Sequence, residues 1–97
     1  MKTRIEHKHL AALGFDRLMG GMWTIHLHLP ILVPWKQPIL HFRVERYSEC
    51  GGIVAYVHTW VNDANPCRRR ERNYPVRRFE TMEQLRDYMH KLIGRVR

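Results

Sequence analysis

The stretch ILHFRVERYSECGGIVAYVHTWV, residues 39–61, decides the fold because it contains two strand patterns separated by a short turn. In its first half apolar residues alternate with polar ones, and the two sets are Leu40, Phe42, Val44 and His41, Arg43, Glu45. This period of two predicts a strand with one buried face. The second half is apolar on both faces, with Ile53, Ala55, Val57 and Val61 on one of them, which favours a central strand. The residues ECGG between the halves predict the turn of an antiparallel hairpin.

The segment before this hairpin predicts one more strand. MWTIHLHL, residues 22–29, alternates between an apolar set that begins with Trp23 and a polar set that includes His26 and His28. Three prolines follow within residues 30–38, and proline lacks the N–H group that a central strand must donate. We therefore expect residues 30–38 to form an irregular edge or a loop, with Trp35 partly exposed. RLMGG, residues 17–21, is predicted to be a loop as well.

A short strand and a helix are predicted to end the chain. NYPVRRF, residues 73–79, indicates a strand, and Pro75 places it at a sheet edge or at its own start. Thr81 and Gln84 have the spacing of a capping box, in which each side chain binds an amide of the first helical turn. The apolar residues that follow recur at helical spacing; they are Met82, Leu85, Met89, Leu92 and Ile93.

The N-terminal residues predict a second helix. Thr3 and Glu6 also have the spacing of a capping box, and Gly14 is a typical helix end. The predicted order is therefore α-β-β-β-β-α. We expect an α+β fold, an antiparallel sheet of about four strands with the N- and C-terminal helices on one face, in a single domain spanning residues 1–97.

Composition restricts the partners and the location. The formal net charge of +8 favours a nucleic acid, a nucleoprotein or an acidic protein surface as partner. No apolar run approaches the length of about 20 residues that spans a bilayer, and MKTRIEHKHL is too charged for a secretory signal. We expect a cytoplasmic protein with no membrane contact. Cys50 and Cys67 fall at opposite ends of a predicted strand, so no disulfide is expected.

Three histidines raise the question of a metal site. His26 and His28 point to one face of their strand, and His41 stands across from them if the next strand pairs antiparallel. Imidazoles on one face can ligate a transition metal. The alternative is an exposed, polar sheet face without a metal, and it is favoured because only Glu45 offers a carboxylate in register. We therefore expect no metal and no other cofactor.

Motifs of enzymatic chemistry are missing from the sequence. Ser48, the only serine, falls in a predicted turn, and there is no GxSxG, HExxH, P-loop or dinucleotide fingerprint. We expect a protein that is not an enzyme.

Arginines make the strongest candidate for a contact surface. NPCRRRERNYPVRRF, residues 65–79, contains six of them, and Arg77 and Arg78 are expected on the last strand, pointing to opposite faces. The expected contact residues are the other four arginines with two aromatic anchors, namely Arg68, Arg69, Arg70, Arg72, Tyr74 and Trp35. The alternative reading is a solvated turn in which Glu71 screens its neighbours.

Three phrases of the sequence resemble small α+β proteins that are common in phages and prophage islands. They are HLAALGF, MWTIHL and VRRFETMEQLRDYMHKLIG, and together they cover about a third of the chain. The last phrase is also similar to the end of some anti-CRISPR proteins, in which a short sheet precedes a capped helix. The matching positions are structural, so the resemblance assigns no binding residue. The basic charge departs from the acidic anti-CRISPR proteins that mimic DNA.

The resemblance implies a phage or mobile-element protein that works by occupying a surface of a host complex. We expect it to inhibit a nucleic-acid-guided defence complex, such as a CRISPR effector, in the host cytoplasm. The alternative is direct binding of DNA or RNA through the basic loop at residues 68–72. Either a monomer or a dimer is compatible with the sequence.

Overall fold

The computed structural model describes residues 4–28, 38–63 and 71–96. Five strands of these residues form one antiparallel sheet, in which the strands lie in chain order. One helix precedes the strands in the sequence and one follows them. The elements are α1 (His7–Ala12), β1 (Asp16–Met19), β2 (Met22–His28), β3 (Pro38–Glu49), β4 (Gly52–Asp63), β5 (Glu71–Phe79) and α2 (Met82–Val96). The expected α+β class is confirmed.

Strand β1 is the element that the sequence pattern did not predict. Residues 17–21 were expected to form a loop, but Asp16 pairs with Thr24, and Arg17 pairs with Trp23. All four residues of β1 are exposed. The strand therefore has no alternation of buried and exposed residues, which is the signal that identifies strands in a sequence.

The hairpin of β3 and β4 confirms the pattern at residues 39–61. Glu49 pairs with Gly52, which leaves a loop of two residues. Cys50 has φ +36° and Gly51 has φ +79°, the positive values that a type I′ turn requires at both central positions. This turn matches the twist of the strands, so the register of the hairpin is set at its tip.

The core lies on one face of the sheet, and both helices pack there. Leu40, Phe42 and Val44 on β3 face Val61, Thr59 and Val57 on β4. All six of these residues are buried. The helices add to the same cluster Leu10 of α1 and Met82, Leu85, Met89 and Leu92 of α2. The expectation that both helices cover one face is therefore confirmed, and neither described helix packs on the other face, which we call the open face.

Helix α1 is shorter than the sequence predicted. It begins after Glu6, whose side chain makes no capping hydrogen bond, so the predicted box of Thr3 and Glu6 does not start it. Thr3 itself lies outside the described residues. The end of the helix is as predicted: Gly14, with φ +96°, donates to Ala11 O, and Phe15 donates to Leu10 O. These two bonds form a Schellman motif, and buried Phe15 and Leu10 supply its apolar contact.

Helix α2 begins with the predicted capping box. The backbone N of Gln84 donates to Thr81 Oγ1 at 3.3 Å, and the backbone N of Thr81 donates to Gln84 Oε1 at 3.3 Å. The backbone N of Glu80 donates to the same Gln84 oxygen at 3.0 Å. No helix within the described ranges is long and apolar enough to cross a membrane.

Candidate functional site

Strand β5 contains the expected contact residues that the structure describes. Arg72 and Tyr74 lie on it, paired with Val61 and Thr59 of β4. Arg72 was expected in a loop, but the strand begins two residues earlier than predicted, at Glu71. The other expected contact residues, Arg68, Arg69, Arg70 and Trp35, lie outside the described residues, as does Cys67.

A β-bulge at Pro75 shapes this strand. The register of β5 against β4 shifts between Tyr74 and Arg77, so that Pro75 and Val76 together oppose His58. Strand β5 is at the edge of the sheet, as Pro75 predicted, because among the described strands it pairs with β4 alone. A bulge accommodates proline because the extra residue makes no ladder bond.

The register assigns the arginines of β5 to two faces. Arg72 and Arg77 lie opposite Val61 and Val57, on the side that carries the helices, and Arg78 lies opposite Tyr56 on the open side. Arg77 and Arg78 therefore point to opposite faces, as the sequence predicted.

A groove of about 460 Å³ separates β5 from α2, and we call it the β5–α2 groove. Its lining is Arg77, Arg78, Phe79, Gln84, Asp87, Tyr88, Lys91, Leu92 and Arg95. The floor is partly aromatic, since the rings of Phe79 and Tyr88 lie 5.1 Å apart. The hydroxyl of Tyr88 donates to buried Thr59 Oγ1 at 3.4 Å. The lining residues thus include one acidic residue, Asp87, and four cationic ones, of which Arg78 directs its side chain to the other face of the sheet.

The arginines along this edge differ in their partners. Arg78 contacts Glu80 at 3.0 Å and Glu49 at 3.5 Å, and the hydrogen bond that Arg78 donates to the Glu80 carboxylate raises the pKa of Arg78. Arg72 Nη2 donates to Tyr74 Oη at 2.9 Å, and its guanidinium carbon lies 5.3 Å from the centre of that ring. Within the described part of the chain, Arg77, Lys91 and Arg95 form no ion pair. Their charges, like that of Arg72, are therefore not neutralised by an ion pair with a described residue.

The open face of the sheet carries a row of rings. His26, His41 and Trp60 are cross-strand neighbours on β2, β3 and β4. The rings of His41 and Trp60 are stacked, with centres 4.8 Å apart and planes 5° apart, and His26 lies edge-on to His41 at 4.3 Å. Asn62 Nδ2 and His41 Nε2 are 3.1 Å apart. The expected meeting of His26 and His41 across the strands is confirmed.

The histidines do not assemble a metal site among the residues that the structure describes. The backbone of His28 in β2 pairs with Ile39 of β3, but the His28 side chain is not among those that the structure describes. His58 approaches Glu45 at 3.2 Å instead of the other imidazoles. No group of three histidine, cysteine, aspartate or glutamate side chains comes together there to hold a metal ion.

The sequence did not predict that Arg77 lines the same groove as Lys91 and Arg95. The only local signal was the spacing of four residues between Lys91 and Arg95, which puts both on one face of α2.

Comparisons of the chain with protein families, with curated proteins and with solved structures find no match.

Proposed function

We propose that this chain is a non-enzymatic protein that binds single-stranded nucleic acid along β5 and the β5–α2 groove. The observation that carries the proposal is the concentration of Arg77, Lys91 and Arg95 around one groove without ion-pair partners among the described residues. A phosphate that binds there displaces no internal salt bridge. The chain's net charge of +8 adds a long-range attraction for any polyanion.

Arg72 supports the same surface. Its guanidinium is held against the Tyr74 ring by a hydrogen bond to the hydroxyl of that ring, so little side-chain entropy is lost when it binds a phosphate. Arg72 and Arg77 lie on the same side of β5. Arg68, Arg69 and Arg70 directly precede β5 in the chain, and the proposal includes them as further phosphate contacts.

Salt dependence tests this proposal. We expect a labelled single-stranded oligonucleotide of about 12 nucleotides to bind at about 50 mM salt and to dissociate as salt rises to about 200 mM. In a plot of the logarithm of the binding constant against the logarithm of the salt concentration, each phosphate contact contributes about 0.7 to the steepness of the slope. The double variant R77Q/R95Q removes two such contacts, so its slope should be shallower by about 1.4.

A charge-matched variant makes this test specific. Lys8 and Arg86 are exposed and do not line the β5–α2 groove, so K8Q with R86Q removes the same charge elsewhere. The proposal fails if the wild-type protein binds no oligonucleotide at low salt. It also fails if the control pair lowers the slope as much as R77Q with R95Q.

A second candidate is inhibition of a nucleic-acid-guided defence complex by occupation of its surface. The observation that favours it is the aromatic, helix-free face of the sheet, where Tyr47 is 50% exposed and packs edge-on against Tyr56 at 5.8 Å. Tyrosine, tryptophan and arginine dominate the energetics of protein interfaces. The resemblance to anti-CRISPR proteins points the same way.

Co-elution with purified CRISPR effector complexes tests the second candidate. An inhibitor that occupies a protein surface should co-elute with the effector and block its binding of target DNA. The variant Y47A should then weaken co-elution, whereas R77Q with R95Q should leave it unchanged. Loss of co-elution only in the arginine variant would assign the contact to the nucleic acid of the complex and reject the protein-surface candidate.

A further inference from the structure

The indole of Trp60 is stacked against a neighbouring ring on one face, and Trp60 also lines a cavity. His41 stacks on the indole from β3, with centres 4.8 Å apart. Asn73 of β5 is the neighbour of Trp60 on the opposite side of β4. Stacked rings lie one above the other, and His41 lies on the β3 side of the indole. The indole face that His41 does not cover therefore points to the other side of β4, where β5 lies. A cavity of about 370 Å³ lies there, within the range of about 300–1,000 Å³ typical of ligand sites.

The bulge of β5 provides the opposite wall of this cavity. Val76, one of the two residues that oppose His58, is 53% exposed and lines the cavity together with Trp60. An exposed valine and an aromatic face therefore border the same space. Such a pair of apolar surfaces suits a flat, aromatic ligand.

Polar groups stand around the same space. Asn73 offers both a donor and an acceptor from its amide, which matches the polar edge of a nucleobase. Arg43 also lines the cavity; its Nε lies 3.8 Å from a Glu45 carboxylate oxygen, and its side chain is 41% exposed. Glu71 lines the cavity too, and the negative charge of this residue favours the amino group of a base over a phosphate.

We propose that this cavity, the Trp60 cavity, receives one unpaired nucleobase, stacked on the face of the Trp60 indole that His41 does not cover. The inference rests on the proposed function and deepens it. The arginines of β5 and the β5–α2 groove hold the phosphates, and the Trp60 cavity holds a base on the other side of the same edge strand. Stacking on an aromatic side chain accepts any base, because every base has a π face. The protein should therefore prefer single strands, DNA or RNA, to duplexes whose bases are already stacked.

The test compares three oligonucleotides of about 12 nucleotides: a mixed-sequence single strand, an abasic strand of equal length, and a duplex. The wild-type protein should bind the single strand tighter than both others. W60L should weaken binding of the single strand by roughly 5- to 150-fold and remove the preference over the abasic strand. W60F, which keeps a smaller ring, should lose less. M19A provides the control, because Met19 is 64% exposed on β1, at the opposite edge of the sheet.

The outcomes separate this inference from the proposal beneath it. If the wild-type protein binds no strand at low salt, both are wrong. If it binds the ordinary and the abasic strand equally, or if W60L leaves that preference intact, the base site is wrong and phosphate binding stands. If W60L does not fold, two measurements still test the base site. They are the comparison of ordinary and abasic strands with the wild-type protein, and the same comparison with W60F. An RNA strand of the same sequence, run in parallel, shows which sugar the site accepts.

Discussion

The indole Nε1–H of Trp23 donates a 2.8 Å hydrogen bond to Nδ1 of His7, which ties β2 to α1. On the other side of the imidazole, Arg46 Nη1 lies 2.6 Å from Nε2 of His7, and Arg46 Nε donates to Ile5 O at 3.0 Å. Both neighbours of the ring are donors only, so the ring must offer a lone pair. A neutral imidazole has one, and a protonated imidazole has none.

The pH dependence of stability should report this contact. Partial burial, followed by the charges of Arg46 and Arg17, lowers the pKa of His7 below its ordinary value of 6.5. The unfolded chain therefore takes up the proton more readily than the folded one. The stabilisation is complete above about pH 6.5 and is lost as the pH falls from there towards the lower pKa of the folded state.

Urea unfolding of the wild type and of H7N at about pH 7.5 and about pH 5.5 measures this effect. The wild type should lose more of its free energy of unfolding on acidification than H7N, which cannot titrate at this position. The other histidines are common to both proteins and cancel in the difference. Equal losses in the two proteins would contradict the assignment.

The close approach of Gly21 to β3 predicts a position that tolerates no side chain. A Cβ at Gly21 would lie 2.7 Å from the carbonyl O of Arg46, and the N–H of Arg46 donates to Gly21 O at 3.0 Å. The obstacle is backbone, which cannot rotate away, so G21A should cost about 1–3 kcal/mol in the free energy of unfolding. Chemical denaturation measures the change.

Gly94 is the matched control for Gly21. It lies in α2, where a Cβ would meet nothing within 4 Å. Alanine is about 0.8–1.0 kcal/mol more favourable than glycine inside a helix, so G94A should stabilise the protein by up to about that amount. A stabilising G21A would show that the β1–β2 turn does not pack against Arg46 as described.

The turn between β3 and β4 holds a cysteine in the left-handed region. Cys50, exposed and with a free thiol, has φ +36°, a conformation that asparagine and glycine adopt at lower cost. We expect C50N to raise the free energy of unfolding by about 0.5–1 kcal/mol. C50A removes the thiol without supplying the short polar side chain whose local hydrogen bonds favour this conformation in asparagine, so it should give no gain. An equal gain in both variants would trace the effect to the thiol and not to the backbone.

The capping box at the start of α2 should contribute measurably to stability. Removing the Thr81 hydroxyl leaves the backbone N–H of Gln84 without its acceptor at 3.3 Å. T81A should therefore cost about 1 kcal/mol, while T81S, which keeps the hydroxyl, should cost much less. Thermal unfolding of the three proteins compares them. A loss in T81S equal to that in T81A would assign the effect to the methyl group.

Local patterns were sufficient where one stretch of chain carries its own signal. The alternation at Leu40, Phe42 and Val44 predicted β3 and its buried face, and Thr81 with Gln84 predicted the start of α2. These signals work because strand and helix periods, and the bonds of a capping box, depend only on residues close in sequence. Strand β1 carries no such signal, since its four exposed residues do not alternate and only pairing with β2 makes them a strand.

The candidate site depended on contacts that the chain order does not reveal. The sequence by itself determined that the protein is basic, that arginines crowd towards its last strand, and that Arg77 and Arg78 face opposite ways. Only the tertiary structure decided that Arg77, Lys91 and Arg95 line the same groove, and that Trp60 stacks on His41. Charge and alternation are properties of neighbours along the chain. Packing between residues far apart in sequence determines the register of β5, the bulge at Pro75 and the position of α2 on the sheet.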